Sequence, residues 1–159
     1  MKKSMTSSSS HKQIVDSVCP ELGVPDINVW LALATHEHLH HTLAKRWWRQ
    51  HEGQIAFIRL SQLGLLRLMT TAAVMDGKPL TIDEAWLVYD RFYDDDRVTF
   101  IPEPSEVEIG FRKRAVGRSA SPKVWADAWM LAHASAAGGV LVTFDKALAA
   151  RGAHCLLSK

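Results

Sequence analysis

Three aspartates in this chain stand where carboxylate chemistry would be built. Asp26 follows the short apolar run Leu22-Gly23-Val24-Pro25, and Asp145 follows the longer run Val140-Leu141-Val142-Thr143-Phe144. Asp127 lies in the first turn of a helical pattern beginning near Val124 that leads into the second run. In an open α/β sheet, ligands bind beyond the carboxyl ends of the strands. A short loop between the helix and the strand would bring Asp127 and Asp145 into one neighbourhood with Asp26. Carboxylates converging there repel one another unless a cation lies between them, and hard oxygen donors suit Mg²⁺ or Mn²⁺. The same positions equally suit structural duty, with Asp26 and Asp127 as helix N-caps and Asp145 as a turn residue.

The elements that must position these acids follow from hydrophobic period and punctuation. Leu22–Val24, Gln54–Ile58, Arg97–Ile101 and Val140–Phe144 read as strands, and Ala153–Leu157 as a last short one. Between them lie helical stretches: Ile27–Ala34, a segment through Leu43, Trp47 and Trp48, and one striped by Leu63, Leu65, Leu66, Leu68 and Met69. Thr81-Ile82-Asp83-Glu84 is a capping box opening a further helix, whose apolar side is Trp86, Val88, Tyr89 and Phe92. Ser105–Val116 and Val124–Ala137 complete the set, the latter stopped by Gly138-Gly139. Strands alternating with helices predict a three-layer α/β/α sandwich around a mostly parallel sheet. Residues 1–20 are Ser- and Lys-rich and read as a flexible N-terminal tail or an over-long start, leaving 21–159 as the folded domain.

Composition removes several function classes. At 47% hydrophobic and 23% charged residues the chain matches an ordinary globular domain. No apolar run approaches the roughly 18–20 residues of a membrane span, and no signal-peptide core follows the basic start, so the expected location is the cytoplasm. Cys19 and Cys155 have no metal-binding spacing and are expected as reduced thiols. A formal charge of +2 does not by itself imply nucleic-acid binding. His36, His38, His40 and His41 invite a zinc reading, but alternation through a loop does not bring all of them to one tetrahedron. They read as a solvated loop, with RNA contact as the alternative.

Four segments together carry a family resemblance. Pro25-Asp26-Ile27-Asn28-Val29-Trp30-Leu31-Ala32-Leu33 resembles the opening motif of the PIN-domain ribonucleases, VapC-type toxins of VapBC toxin–antitoxin pairs. Ser61-Gln62-Leu63-Gly64-Leu65-Leu66-Arg67-Leu68 aligns with the segment holding their second acid. Trp125–Ala132 resembles their third acidic motif, and Leu141–Leu148, with Thr143-Phe144-Asp145, their last. The resemblance spans about Leu22 to Leu157 in the right order, and it departs from the family at Gln62, where many members carry glutamate. A neutral amide offers a carbonyl oxygen but no negative charge.

The resemblance implies an Mg²⁺-dependent endoribonuclease (Mn²⁺ being the other cation considered) acting on structured RNA such as a tRNA. Asp26, Asp127 and Asp145 would be its metal ligands, Asp127 directly or through water. Asn28, Gln62 and Thr143 would be supporting residues, although Asn28 also fits a helix-start bond and Thr143 an ordinary strand position. It also implies inhibition by a cognate antitoxin, whose C-terminal segment would lie in a groove around Trp30, Trp47 and Trp48, and a homodimer. Of the tryptophans, Trp47, Trp48, Trp86 and Trp129 read as core or interface residues. Arg112, Arg114, Arg118 and Lys123 form the densest basic stretch and are candidates for RNA phosphates, or else a solvated helix end. Two rivals remain: a PIN fold reduced to RNA or partner binding by Gln62, and a phospho-acceptor receiver domain. The receiver domain would need an acidic pair at the first strand, and Asp26 has no acidic neighbour.

Overall fold

The computed structural model describes residues 21–157, so the expected tail and Cys19 lie outside the described residues. In chain order the elements are β1 (Leu22–Pro25), α1 (Ile27–Ala34), α2 (His41–Gln50), β2 (Ile55–Phe57), α3 (Arg59–Met69) and α4 (Ile82–Arg91). A 3-10 turn at Phe92–Asp94 follows, then β3 (Val98–Phe100), α5 (Val107–Arg114), α6 (Lys123–Ala136), β4 (Gly139–Thr143), α7 (Lys146–Ala149) and β5 (His154–Cys155). The five strands form one sheet in the order β3-β2-β1-β4-β5, every pairing parallel. The order reverses between β1 and β4, which makes that seam the topological switch point of the sheet.

Strand alternation decides which helices cover which face. In β2, Ile55 and Phe57 join the core shared with α1, α2, α3 and α4, while Ala56 and the following Ile58 join the core shared with α6. Trp30 anchors the first of these. It is fully buried, stacked on Phe57 at 3.6 Å between ring centres and met edge-on by Phe92 at 4.9 Å. On the other face Met130, Leu131 and Ala134 of α6 pack on Val24 and Leu141. The expected α/β/α layering is what the chain adopts. Among the described residues, no helix is long and apolar enough to cross a membrane.

Several local expectations are corrected. The last long strand starts and ends one residue earlier than its apolar run suggests. Phe144 therefore lies beyond the ladder, and Asp145 caps α7, a short helix the hydrophobic pattern did not reveal. Helix α6 begins at Lys123, which moves Asp127 from the first turn to the second. Leu63 and Trp86 were expected on apolar helix faces but are 57% and 43% exposed. Trp30, being 0% exposed, contributes no surface to any groove, whereas Trp47 and Trp48 are half-buried at the edge of the same core.

The seam between β1 and β4 tolerates no added bulk. Its register pairs Leu22 with Gly139, Gly23 with Val140, Val24 with Leu141 and Pro25 with Val142. A Cβ at Gly139 would stand 2.6 Å from the Leu22 carbonyl oxygen and 2.8 Å from its Cγ. Backbone cannot swing aside as a side chain can, so Gly139→Ala should lose about 1–3 kcal/mol of stability. Urea denaturation checks this, and an unchanged midpoint would show that the seam relaxes freely.

Candidate active site

Asp26 and Asp145 both stand at the switch point, and each has both side-chain oxygens engaged. Asp26 is the N-cap of α1, its Oδ1 accepting from the Val29 amide at 2.9 Å. Its Oδ2 accepts from the Thr143 hydroxyl at 2.5 Å. That same hydroxyl accepts from the Asp145 amide at 3.0 Å, so Thr143 ties the two strand ends together. Asp145 in turn is the N-cap of α7, its Oδ1 accepting from Ala147 at 2.7 Å and Leu148 at 3.4 Å. Its Oδ2 takes the ammonium of Lys123. The capping role expected of Asp26 holds, Asp145 caps α7 where a turn residue was expected, and Asp127 lies inside α6 and caps nothing. Capping does not exclude cation binding, because a carboxylate has lone pairs on both oxygens.

Lys123 stands beside the acids, paired with them and not simply one of a run of surface cations. It was grouped with the RNA-contacting cations, yet its ammonium bonds Asp145 and lies 3.7 Å from Asp127 Oδ2. The signal was present: Lys123 and Asp127 are four apart, on one face of a helix. A positive charge thus already lies between two of the three acids. Among the described residues, no three His, Cys, Asp or Glu side chains are gathered closely enough to grip a metal ion as they stand. The fit is nonetheless chemical: the acids offer only hard oxygens, two of them face one cation, and the third feels the charge of Asp145. Asp26, Asp127 and Asp145 suit a small divalent cation that would replace the Lys123 ammonium.

The electrostatics separate the two capping acids. Burial pushes the Asp26 carboxyl above its ordinary value, the nearby charge of Asp145 adds to this, and the bonds from Thr143, Val29 and Asn28 oppose it. Asp26 is 5% exposed and has no cationic partner among its neighbours. The Lys123 ammonium, with the α7 amides, holds Asp145 below the ordinary carboxylate range, and Asp145 raises Lys123 reciprocally.

The remaining candidates divide. Asn28 is exposed on the first turn of α1 and borders, with Asp145, a cavity of about 500 Å³. Gln62 is buried, and its side-chain oxygen accepts from the Arg59 guanidinium, which also lies 4.7 Å over the Phe100 ring. Arg112 pairs with Glu108 on its own helix at 2.6 Å, and Arg114 donates to the Gly110 carbonyl at 3.1 Å. Arg118 is exposed in the loop before α6. Of the basic stretch, Lys123 is the one that reaches the acids.

Comparison with known proteins agrees with this architecture. The PIN domain profile matches residues 24–153. Ribonuclease VapC41 of Mycobacterium tuberculosis is 42% identical over 133 residues, covering 80% of this chain and 91% of the relative. Ribonuclease VapC39 of the same organism is 27% identical over 134 residues, 78% of this chain and 88% of its own. Among solved structures, M. tuberculosis VapC20, described as a sarcin–ricin-loop-cleaving toxin, superposes with a TM-score of 0.60 at 17% identity, covering 86% of this chain and 99% of its own. VapBC2 of Rickettsia felis, bound to a promoter DNA fragment, gives 0.56 at 14% identity over 81% and 92%. At those identities the structural likeness speaks for the fold, and the sequence matches speak for the lineage. The chain belongs to the PIN-domain family and, within it, to the VapC ribonucleases.

Proposed function

We propose that this chain is an Mg²⁺-dependent endoribonuclease, the toxin of a type II toxin–antitoxin pair, working in the cytoplasm and held inactive by a cognate antitoxin. The observation that carries this reading is the set of acids at the β1–β4 switch point with one cation already clamped between two of them. The VapC names of the sequence relatives support the substrate class. Asp26 and Asp145 would hold the divalent cation directly, and Asp127 directly or through water. When bound, that cation supplies Lewis acidity toward the phosphate, a lowered water pKa and charge compensation for the leaving oxygen.

The chain's own residues do the rest. Thr143 orients the Asp26 carboxylate and fixes its distance to the α7 amide end. Lys123, beside Asp145 and Asp127, would offer a substrate phosphate a cation at the rim. Asn28 offers an amide at the same rim. Arg114 and Arg118 would extend the basic surface, with Arg112 already neutralised by Glu108. A separate cavity of about 590 Å³, lined by Leu33, Ala34, Trp48, Val88 and Phe92 with Lys45, Arg91 and two aspartates at its edge, suits an antitoxin segment. Exposed Ile109, Val116 and Trp125 supply apolar surface for pairing with a second copy.

One observation favours a second reading, a catalytically impaired PIN fold that binds RNA or protein without cutting: Gln62 adds no charge, and its oxygen is engaged by Arg59. Cleavage of total bacterial RNA with Mg²⁺, Mn²⁺ or EDTA separates the two. The ribonuclease reading expects discrete, metal-dependent fragments that vanish in Asp26→Ala and fall about 10- to 100-fold in Thr143→Val, as for loss of a group orienting a metal ligand. Gln62→Glu should change the rate by less than about threefold, because the new carboxylate would pair with Arg59. No cleavage by the parent and strong cleavage by Gln62→Glu would establish the impaired reading.

A buried acid of this kind also leaves a stability signature. A folded-state pKa above the unfolded value means that ionising Asp26 costs the native state stability as pH rises through that range. The penalty is absent below the unfolded value and complete above the raised one. In EDTA near neutral pH, Asp26→Asn should therefore melt higher than the parent, with the difference closing as pH falls toward about 4. Mg²⁺ should raise the melting temperature of the parent and leave the variant nearly unchanged. A variant less stable at every pH would show that the hydrogen bonds outweigh the burial.

A further inference from the structure

Arg59 is a cation that the fold places against local preference. It is the first residue of α3, where the helix dipole favours an acid, and the first turn of α3 contains none. Among the described residues no carboxylate pairs with it, whereas Arg97 pairs with Asp95, Arg112 with Glu108 and Lys123 with two acids. Its hydrogen-bond partner is neutral, the side-chain oxygen of Gln62. Chemistry forces that assignment, because a guanidinium has donors only and must face the oxygen of the amide. The guanidinium is nonetheless held in place. Phe100 lies beneath it at 4.7 Å, and Gln62 is itself buried. Tyr93 stands within reach of its charge, with its hydroxyl bonded to that of Tyr89 at 2.7 Å.

Strand register puts this cation beside the acids. Gly23 of β1 pairs with Ile55 of β2, so Asp26 and Ile58 leave neighbouring strands at the same level, roughly 4.8 Å apart. Arg59 follows Ile58, and Phe100 ends β3, the next strand out. Gly64 lets α3 close on the helix that Asp26 caps, since a Cβ there would collide with the Ile27 side chain. Lys123 meets Asp145 on the β4 side, so the two cations flank Asp26 along the sheet end. Arg59 is exposed, which leaves the donors that Gln62 does not use open to a ligand. That planar fork fits two oxygens of a phosphate. A positive charge bonded to the Gln62 oxygen also repels a divalent cation from it, so this corner favours an anion.

We propose that Arg59 binds a backbone phosphate of the RNA on the β2–β3 side of the acids, beside the phosphate at the carboxylates. The proposal rests on the ribonuclease reading for its substrate class. Gln62 and Phe100 are the positioning residues: the amide fixes one edge of the guanidinium and the ring supports it from below. The contact is to backbone, so it adds affinity without reading sequence. With Lys123 on the other side, it sets the path of the strand, which crosses the acids along the sheet end from β4 toward β3.

Binding with the acids compensated by Ca²⁺, a hard cation that takes the same oxygen donors, tests this. A fluorescent oligoribonucleotide, checked for integrity on a denaturing gel, is titrated by anisotropy at several salt concentrations. Arg59→Ala should weaken binding about tenfold and make the fall of log affinity with log salt shallower by about 0.7. Arg59→Lys, which keeps the charge, should retain the parent slope. A residue that only supports the fold would lower the melting temperature of Arg59→Ala and leave the slope unchanged. That result would overturn the contact, as would no RNA binding by the parent. Arg59-dependent binding by a protein that cuts nothing in Mg²⁺ would keep the contact and remove the nuclease. Metal-dependent cutting with a slope indifferent to Arg59 would do the reverse.

Discussion

The hydroxyl of Thr143 is the point on which the site depends. It donates to Asp26 at the end of β1 and accepts from the Asp145 amide beyond β4, so one side chain spans the seam where the strand order reverses. Two backbone features hold that seam in register: the parallel pairing from Leu22–Gly139 to Pro25–Val142 and the bond from the Asp26 amide to the Val142 carbonyl at 2.9 Å. The close approach at Gly139 keeps the strands near enough for the hydroxyl to reach both ends. Without that registration the acids would be ordinary caps on separate helices.

Charge follows from the same geometry. Asp26 stands at the end of a buried strand and is itself 5% exposed, so little water reaches its carboxyl. Burial disfavours its ionisation, and the nearby charge of Asp145 adds to this. Asp145 and Asp127 sit nearer the surface, where Lys123 compensates them from one turn of α6 away. The Lys123 ammonium thus holds the two acids together at the switch point.

Much of this was legible in the residues. The alternation of apolar strands and helical stripes specified the layering, because a doubly covered strand such as Leu141–Thr143 and a half-covered helix such as α3 bury different residue patterns. Asp26 and Asp145 were visible as acids that end apolar runs. What the pattern could not carry was anything set by tertiary contact. The short helix α7 has no amphipathic period of its own, so Asp145 looked like a turn residue. Leu63 and Trp86 match an apolar stripe, yet nothing among the described residues covers them fully. Lys123 counted as one more cation in a basic stretch, since its distance to Asp145 is a property of the fold across 22 residues and not of local spacing. The contacts of His38 and His40 with Phe144 were invisible for the same reason, since Phe144 is far away in sequence and exits a strand their loop never joins.

The central claim is that Asp26, Asp127 and Asp145 form a divalent-cation site that Lys123 occupies until loading. Anomalous diffraction from crystals soaked in Mn²⁺ tests it most directly. The expected result is a peak within bonding distance of carboxylate oxygens of Asp26 and Asp145, with the Lys123 ammonium withdrawn from Asp145. A saturating soak that leaves no peak there, with Lys123 still bonded to Asp145, would contradict it.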